Sequence, residues 1–407
     1  MDRRDFLKNL LALAALAPAA KVSAAATIPA EASAPGKVSR RRYKNSNLTV
    51  PMLGYGMMRL PRLNGGIDYD TVKKQIAIAM ASGVNYFDTA YFYHGGQSEI
   101  CAGEVLSAYP RSSYMLADKM PVSRLRRPAD IERIWNEQLK KCKVDYFDFY
   151  LLHALNAGSW KKAKQLKVYE FLKKKKDEGK IKYLGFSFHD SPQVLREIAS
   201  AHPWDFAQIQ LNYLDWTLYR SKEQYEILTK LGIPVIVMEP LRGGALATLN
   251  PEAREVFQKA DPKSSVASWA FRYAGTLPNV LCILSGMTMT EHLNDNIKTF
   301  TDFKPLSASE QKVIGTALAA YQKSGIVPCT SCRYCLPCPV GVAIPRNFNI
   351  YNSMKITGNV RRFNANYKAM PKKQQAANCV SCGLCKKKCP QQIDIPAMLK
   401  KIASEVK

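Results

Sequence analysis

Residues 146–154 read YFDFYLLHA, and only Asp148 and His153 among the nine are strongly polar. Apolar side chains occupy both parities of the run, so a strand here buries both of its faces. A half-exposed hairpin strand would alternate instead. The pattern belongs to a parallel strand covered by helices on either side. Comparable runs flank it: PMLGYGM (51–57), NYFDTA (85–90) and YMLADKM (114–120) before it, then IKYLGFSF (181–188), FAQIQLNY (206–213), PVIVMEP (234–240) and VLCILSG (280–286) after it. Each is followed by a longer amphipathic stretch. Eight strand–helix units within residues 43–305 predict an α/β fold, a closed (β/α)8 barrel of the TIM type. An open doubly wound sheet competes, but no Gly-x-Gly-x-x-Gly follows the first strand.

The chain has 407 residues, 47% hydrophobic and 23% charged, the balance of a globular protein with room for one large domain and a smaller one. Lys and Arg outnumber Asp and Glu by 59 to 33, a net charge of +26 that suits an acidic partner or surface. The densest basic run, Lys161 to Lys182, places Ala163, Leu166, Tyr169 and Leu172 at helical spacing. Its lysines therefore read as the solvated face of one amphipathic helix. No nucleic-acid motif accompanies the charge, which sets nucleic acid aside as a partner.

At the other end the chain begins MDRRDFLKNLLALAALAPAA. Arg3 and Arg4 precede Phe6, Leu7 and Lys8, an apolar run follows from Leu10 to Ala20, and small residues offer cleavage near Ala24 or Ala26. The run is shorter than the roughly 20 residues of a membrane span. RRDFLK resembles the twin-arginine signal, whose machinery exports folded, cofactor-loaded proteins from the bacterial cytoplasm. The expectation is a signal over 1–26, a linker over 27–42, a periplasmic destination, and no stable membrane span in the mature protein. An uncleaved membrane anchor, or an accident of a basic tail, is the alternative reading of the same residues.

Reactive side chains of a β/α barrel gather where strands end and the next loops begin. Those positions hold Asp88 and Tyr93 after the second strand, Lys119 on the third and His153 on the fourth. A tyrosine hydroxyl, with an ordinary pKa near 10, is a poor proton donor at neutral pH. A neighbouring lysine cation favours the phenolate, and an aspartate holds that lysine charged. A neutral histidine can orient a carbonyl oxygen. The lone histidines His94 and His189 read as pocket lining at most, and Cys101, Cys142 and Cys282 as core.

The segments FDTAYFYHGGQSE, LADKMP and DYFDFYLLHAL carry these four residues in order, and on them residues 43–303 resemble an aldo-keto reductase. The resemblance implies reduction of a small carbonyl, or oxidation of an alcohol, by hydride transfer from NAD(P)H through the tetrad Asp88, Tyr93, Lys119 and His153. It would put Gly56, Met57 and Met58 beside the nicotinamide, and Ser187 and Gln208 on its carboxamide. Met238, Leu241 and Gly243 would lie near the ring and pyrophosphate; Ser285, Gly286, Met287, Asp295 and Asn296 would cover the adenosine end. A ribose 2′-phosphate wants a cation, and between Gly286 and Asn296 the sequence offers only His292. NADPH and NADH therefore both stay open.

Eight of the 11 cysteines fall in the tail. Cys329, Cys332, Cys335 and Cys338 are each separated by two residues, with Pro339 next; Cys379, Cys382, Cys385 and Cys389 follow the bacterial ferredoxin run Cys-x2-Cys-x2-Cys-x3-Cys-Pro. Close spacing lets three thiolates reach three corners of one 4Fe–4S cube, while the fourth serves the neighbouring cluster. By that rule Cys329, Cys332, Cys335 and Cys389 hold one cluster, and Cys379, Cys382, Cys385 and Cys338 the other. Zinc more often takes two Cys-x-x-Cys pairs, and disulfides suit an oxidising compartment, but consecutive triplets suit neither as well. The expected plan is a barrel over 43–305, a connecting helix over 306–327 and a small, mainly helical iron–sulfur domain over 328–407. That tail has little aliphatic core, so metal would staple it. The function expected is an exported oxidoreductase that exchanges electrons with a redox protein through two 4Fe–4S clusters. The alternative is an iron–sulfur electron carrier with the barrel as a docking scaffold.

Overall fold

A computed structural model describes residues 30–31, 36–44 and 46–406; the signal expected over 1–26 and part of the 27–42 linker lie outside them. All eight expected runs form strands: β1 (Leu53–Gly56), β2 (Tyr86–Asp88), β3 (Met115–Met120), β4 (Phe147–Leu155), β5 (Ile181–Phe188), β6 (Phe206–Gln210), β7 (Val235–Met238) and β8 (Val280–Ser285). They close into a barrel in the order β1 to β8, each parallel to its neighbours. Aromatic rings fill its lower interior: Phe149 meets Tyr86 at 4.9 Å and Phe206 at 5.1 Å, both edge to face. Cys282 lies in the same buried cluster, and Cys101 and Cys142 are buried on the helices Gln97–Leu106 and Ala129–Cys142.

A hairpin of Arg40–Arg42 and Thr49–Pro51 precedes β1. Its buried Arg41 donates to the carbonyls of Gly275, Leu277 and Val280 at the entry to β8. That end of the barrel is thereby occupied by structure, leaving the opposite strand ends for chemistry.

Helix α1 (Tyr69–Ala81) starts at Asp68, whose carboxylate accepts from the Thr71 N–H. After α2 (Gln97–Leu106), helix α3 (Ala129–Cys142) buries Ile131, Ile134, Trp135, Gln138 and Cys142, one stripe of a 3.6-residue period. The basic run differs from the single helix expected. Lys167 adopts φ 56° and divides it into α4 (Ala157–Gln165) and α5 (Val168–Asp177). Trp160, Ala163, Val168 and Leu172 face inward, and lysines on the outer face pair along the surface, as Lys173 does with Asp177.

A second compact unit comprises Leu241–Ala270 and Leu306–Lys407. Within it α6 (Pro251–Ala260) packs on α7 (Ala308–Gln322), where Asn250 donates to the Ala320 carbonyl at 3.3 Å. Further on, α8 (Ile344–Thr357), α9 (Val360–Lys368) and α10 (Ile395–Ser404) enclose Phe348, Tyr351, Phe363, Tyr367, Leu399 and Ile402. The tail therefore has a packed core of its own, contrary to the thin one expected. Four of its members, Phe348, Tyr351, Phe363 and Tyr367, are aromatic and lie between the two cysteine groups, while Ile393, Ile395, Leu399 and Ile402 come from beyond the second. Cys335 is part of this core, and Cys329, Cys338, Cys379, Cys385 and Cys389 pack against it.

Candidate active site and metal-ligating cysteines

Strand register decides which side chains meet. Asp88 pairs with Ala117, and Lys119 with Leu151. Residues two apart share a face, so Lys119 stands one step above Asp88, and His153 one step above Lys119. Lys119 Nζ reaches back to Asp88 Oδ1 at 2.6 Å, to the Thr89 carbonyl at 2.6 Å and to the Tyr93 hydroxyl at 3.4 Å. Tyr93 opens a tight turn in which His94, Gly95 and Gly96 all have positive φ; the glycines take that conformation without strain. The rings of Tyr93 and His153 stand edge to face at 6.2 Å. The four predicted catalytic residues are thus brought together.

Burial dominates their electrostatics. It holds the His153 imidazole well below its usual range, with Lys119 and His189 adding to the effect, so the ring is neutral at physiological pH. Burial also pushes Tyr93 well above the ordinary phenol, helped by Asp88, Glu239 and Asp118, while Arg59 pulls the other way. The expectation that Lys119 lowers this pKa is not met. Its charge is answered by Asp88 at 2.6 Å, closer than the tyrosine oxygen. For Asp88 burial raises the carboxyl and Lys119 opposes it; at this distance the ion pair is the form that satisfies both groups.

Several supporting residues were not singled out in the sequence. Glu99 accepts from Gln138 at 2.8 Å, and the same Gln138 amide donates to the Lys119 carbonyl at 3.1 Å, so α3 braces β3. Ser98 bonds Thr89 at 2.8 Å and donates to the Met57 carbonyl at 3.1 Å, tying the β1 loop to β2. Both Ser98 and Glu99 lie in the GGQSE stretch, whose buried polar pair was the available signal. His94 Nε2 accepts from the Leu60 N–H at 3.1 Å, a bracing role for that histidine.

The residues expected around a nicotinamide divide into groups. Ser187 Oγ accepts from the Ala154 N–H at 2.7 Å, beside His153, and pairs across the sheet with Gln208. Gln208 lies beside Asp88 and helps hold that carboxyl down as a hydrogen-bond partner; its own Oε1 is buried with no hydrogen-bond partner among the described residues. An unsatisfied buried amide oxygen is costly, and any hydrogen-bond donor, a carboxamide N–H among them, would satisfy it. Met238 ends β7, and Met57 is buried and Met58 half-buried after β1.

At the β1–β8 side, a Cβ on Gly56 would stand 3.2 Å from the Ser285 carbonyl. Ser285 accepts from Asn296 at 3.0 Å, Met287 is buried, and Asp295 is half-buried on the helix Thr290–Phe300. Gly286 is covered by Arg59, whose Cβ would be 2.9 Å from an added methyl. Arg59 also stands 3.6 Å from Glu239. This side is thus not short of a cation: Arg59 arrives from the β1 loop, outside the stretch where the sequence offered only His292. Leu241 and Gly243 belong to the other compact unit.

Among the described residues of that unit, none of the eight tail cysteines is joined in a disulfide. Cys335 is pushed up to about 12, by burial first and then by Cys332, Cys329 and Cys389; Cys329 likewise feels Cys389. Cys385 is raised by burial and by Cys379 and Cys382. Two groups of mutually interacting thiols result, with Cys338 packed on the core they share. Among the described residues no three ligating side chains converge on a single ion; the thiolates of a four-iron cube bind different irons and stand farther apart. Thiols of raised pKa give up their protons when a metal binds. This donor set fits two clusters.

Residues 52–318 match the Aldo/keto reductase family, and residues 328–393 match a 4Fe-4S dicluster domain. L-galactose dehydrogenase of Arabidopsis thaliana is 23% identical over 301 residues, 68% of this chain and 92% of that protein. The NADH-specific methylglyoxal reductase of Escherichia coli is 24% identical over 303 residues, 62% of this chain and 90% of its own. Among solved structures, the holo form of an aldo-keto reductase from Bacillus halodurans superposes with a TM-score of 0.58 at 23% identity, covering 68% of this chain and 95% of that one. With the family match spanning more than half of its length, this chain belongs to the aldo/keto reductase family of oxidoreductases and carries a C-terminal 4Fe–4S dicluster domain.

Proposed function

We propose that the protein is exported by the twin-arginine machinery and reduces a small carbonyl compound, or oxidises the alcohol, while exchanging electrons with a redox protein. The observation that carries the catalytic part is the Lys119 ammonium set between Asp88 and the Tyr93 hydroxyl. Tyr93 keeps its proton at neutral pH and gives it to the substrate oxygen as that oxygen gains negative charge. Lys119 stabilises the phenolate left behind, Asp88 fixes the lysine, and neutral His153 orients the carbonyl. Ser187 and Gln208 would hold a nicotinamide, which supplies the hydride when bound. Cys329, Cys332, Cys335 and Cys389, with Cys379, Cys382, Cys385 and Cys338, would hold two clusters, which supply single-electron transfer when bound. The names of the plant dehydrogenase and the bacterial reductase support a small polar substrate.

The second reading, an electron carrier with a non-catalytic barrel, is favoured by Arg59 lying across Gly286, where a dinucleotide would approach. Anaerobic titration with NADH and NADPH, followed by cluster absorbance, separates the two. Bleaching by one of them names the nucleotide and shows electron exchange. Bleaching by dithionite but by neither nucleotide supports the carrier.

A further inference from the structure

Arg242 is 2% exposed, among the largest buried side chains of the protein. A guanidinium is not deprotonated in proteins, so the cluster-bearing unit contains a permanent positive charge. Burying one is costly unless it is used. Its surroundings are specific. Arg242 Nη2 donates to Gln391 Oε1 at 3.1 Å, two residues beyond Cys389. Its neighbour Gly243, at φ 67°, approaches Thr330 so closely that a Cβ would collide with the Thr330 carbonyl, one residue beyond Cys329. One short loop thus touches the chain beside both Cys329 and Cys389, ligands sixty residues apart that the ferredoxin rule assigns to the same cluster.

We propose that Arg242 is a positioning residue for the 4Fe–4S cluster held by Cys329, Cys332, Cys335 and Cys389, clamping the two remote ligand arms and making that cluster easier to reduce. Reduction adds one electron to the cluster and breaks no bond. A fixed cation nearby stabilises the more negative product more than the reactant. The inference rests on the dicluster reading and deepens it.

The test uses the full chain, purified anaerobically, with iron counted and both clusters followed by electron paramagnetic resonance during a dithionite titration. Arg242→Gln is expected to disfavour reduction of one cluster by about tenfold, which is 59 mV for a one-electron couple. Arg242→Lys keeps the charge and is expected to lose only a small part of that. Gln391→Glu places a carboxylate on the guanidinium and is expected to move the same midpoint in the same direction. Unchanged midpoints in Arg242→Gln and Gln391→Glu with iron retained overturn the proposal, and so does an equal shift of both clusters. If Arg242→Gln loses its iron, the Gln391→Glu midpoint decides alone. Fewer than about eight irons in the unaltered protein would instead defeat the dicluster reading.

Discussion

Lys119 and Asp88 form a buried ion pair at 2.6 Å between adjacent barrel strands. Removing one partner strands the other without solvent. Lys119→Met is expected to cost about 3–5 kcal/mol of stability, because the Asp88 carboxylate is left uncompensated. Adding Asp88→Asn should recover most of that loss without recovering turnover. Urea melts of the single and double variants, with activity measured on each, check both halves of the statement.

Tyr93→Phe keeps the ring and its edge contact with His153 while removing the proton. Turnover of small aldehydes or ketones is expected to fall by roughly 10²–10⁴-fold, the usual contribution of a positioned acid. Cluster content and nucleotide-free redox behaviour should be unaltered. A variant with native turnover would falsify the catalytic role and leave the barrel as a scaffold.

Of two histidines in the barrel, His153 is buried and His189 half-buried, and desolvation holds both neutral. His189 is held down to about 4 by burial, and His153 lies well below its usual range for the same reason first. An unfolded histidine takes up its proton near 6.5. Between there and pH 4 the unfolded chain binds protons that the native barrel refuses, so stability falls as pH falls through this window. Above about pH 6.5 the contribution is flat. At pH 5 the His189 share is about 2 kcal/mol. Denaturation curves at pH 7 and pH 5 should separate by that order, and His189→Phe should narrow the gap.

The cysteines can be sorted by pairs. Cys329→Ser and Cys389→Ser should weaken or remove the same spectroscopic signal, and Cys338→Ser and Cys379→Ser the other. Iron would fall from about eight toward about four per chain in each case. Loss of different signals in the first pair would mean that each cysteine run holds its own cluster.

The barrel was legible because its strands are buried on both faces: a run such as residues 147–155 has no second interpretation once seven like it recur. The tetrad was legible for a related reason, since strand ends are readable and each of its members sits at or just after one. Arg59 was not, because its approach to Gly286 joins the first strand to the last, and closure of a barrel leaves no local trace. The split at Lys167 went unseen because a lysine in a left-handed conformation looks like any other lysine in a basic run. The tail's core was hidden by dispersal: Val327, Val342, Ile344, Ile393, Ile395, Leu399 and Ile402 lie in separate short stretches, and Tyr351, Phe363 and Tyr367 join them only in the folded unit. The Tyr93 environment depends on Glu239 and Asp118, which no spacing rule connects to it.

The cluster-bearing unit is discontinuous, built from Leu241–Ala270 and Leu306–Lys407. Between those pieces the chain returns to complete the barrel with β8. Neither unit can be finished from an uninterrupted stretch of sequence, so during synthesis the last barrel strand emerges before either cysteine run. A truncation at residue 305 would not release a free-standing reductase; it would leave α6 without α7 and Arg242 without Gln391. The barrel and the 4Fe–4S dicluster domain are therefore inherited and lost together.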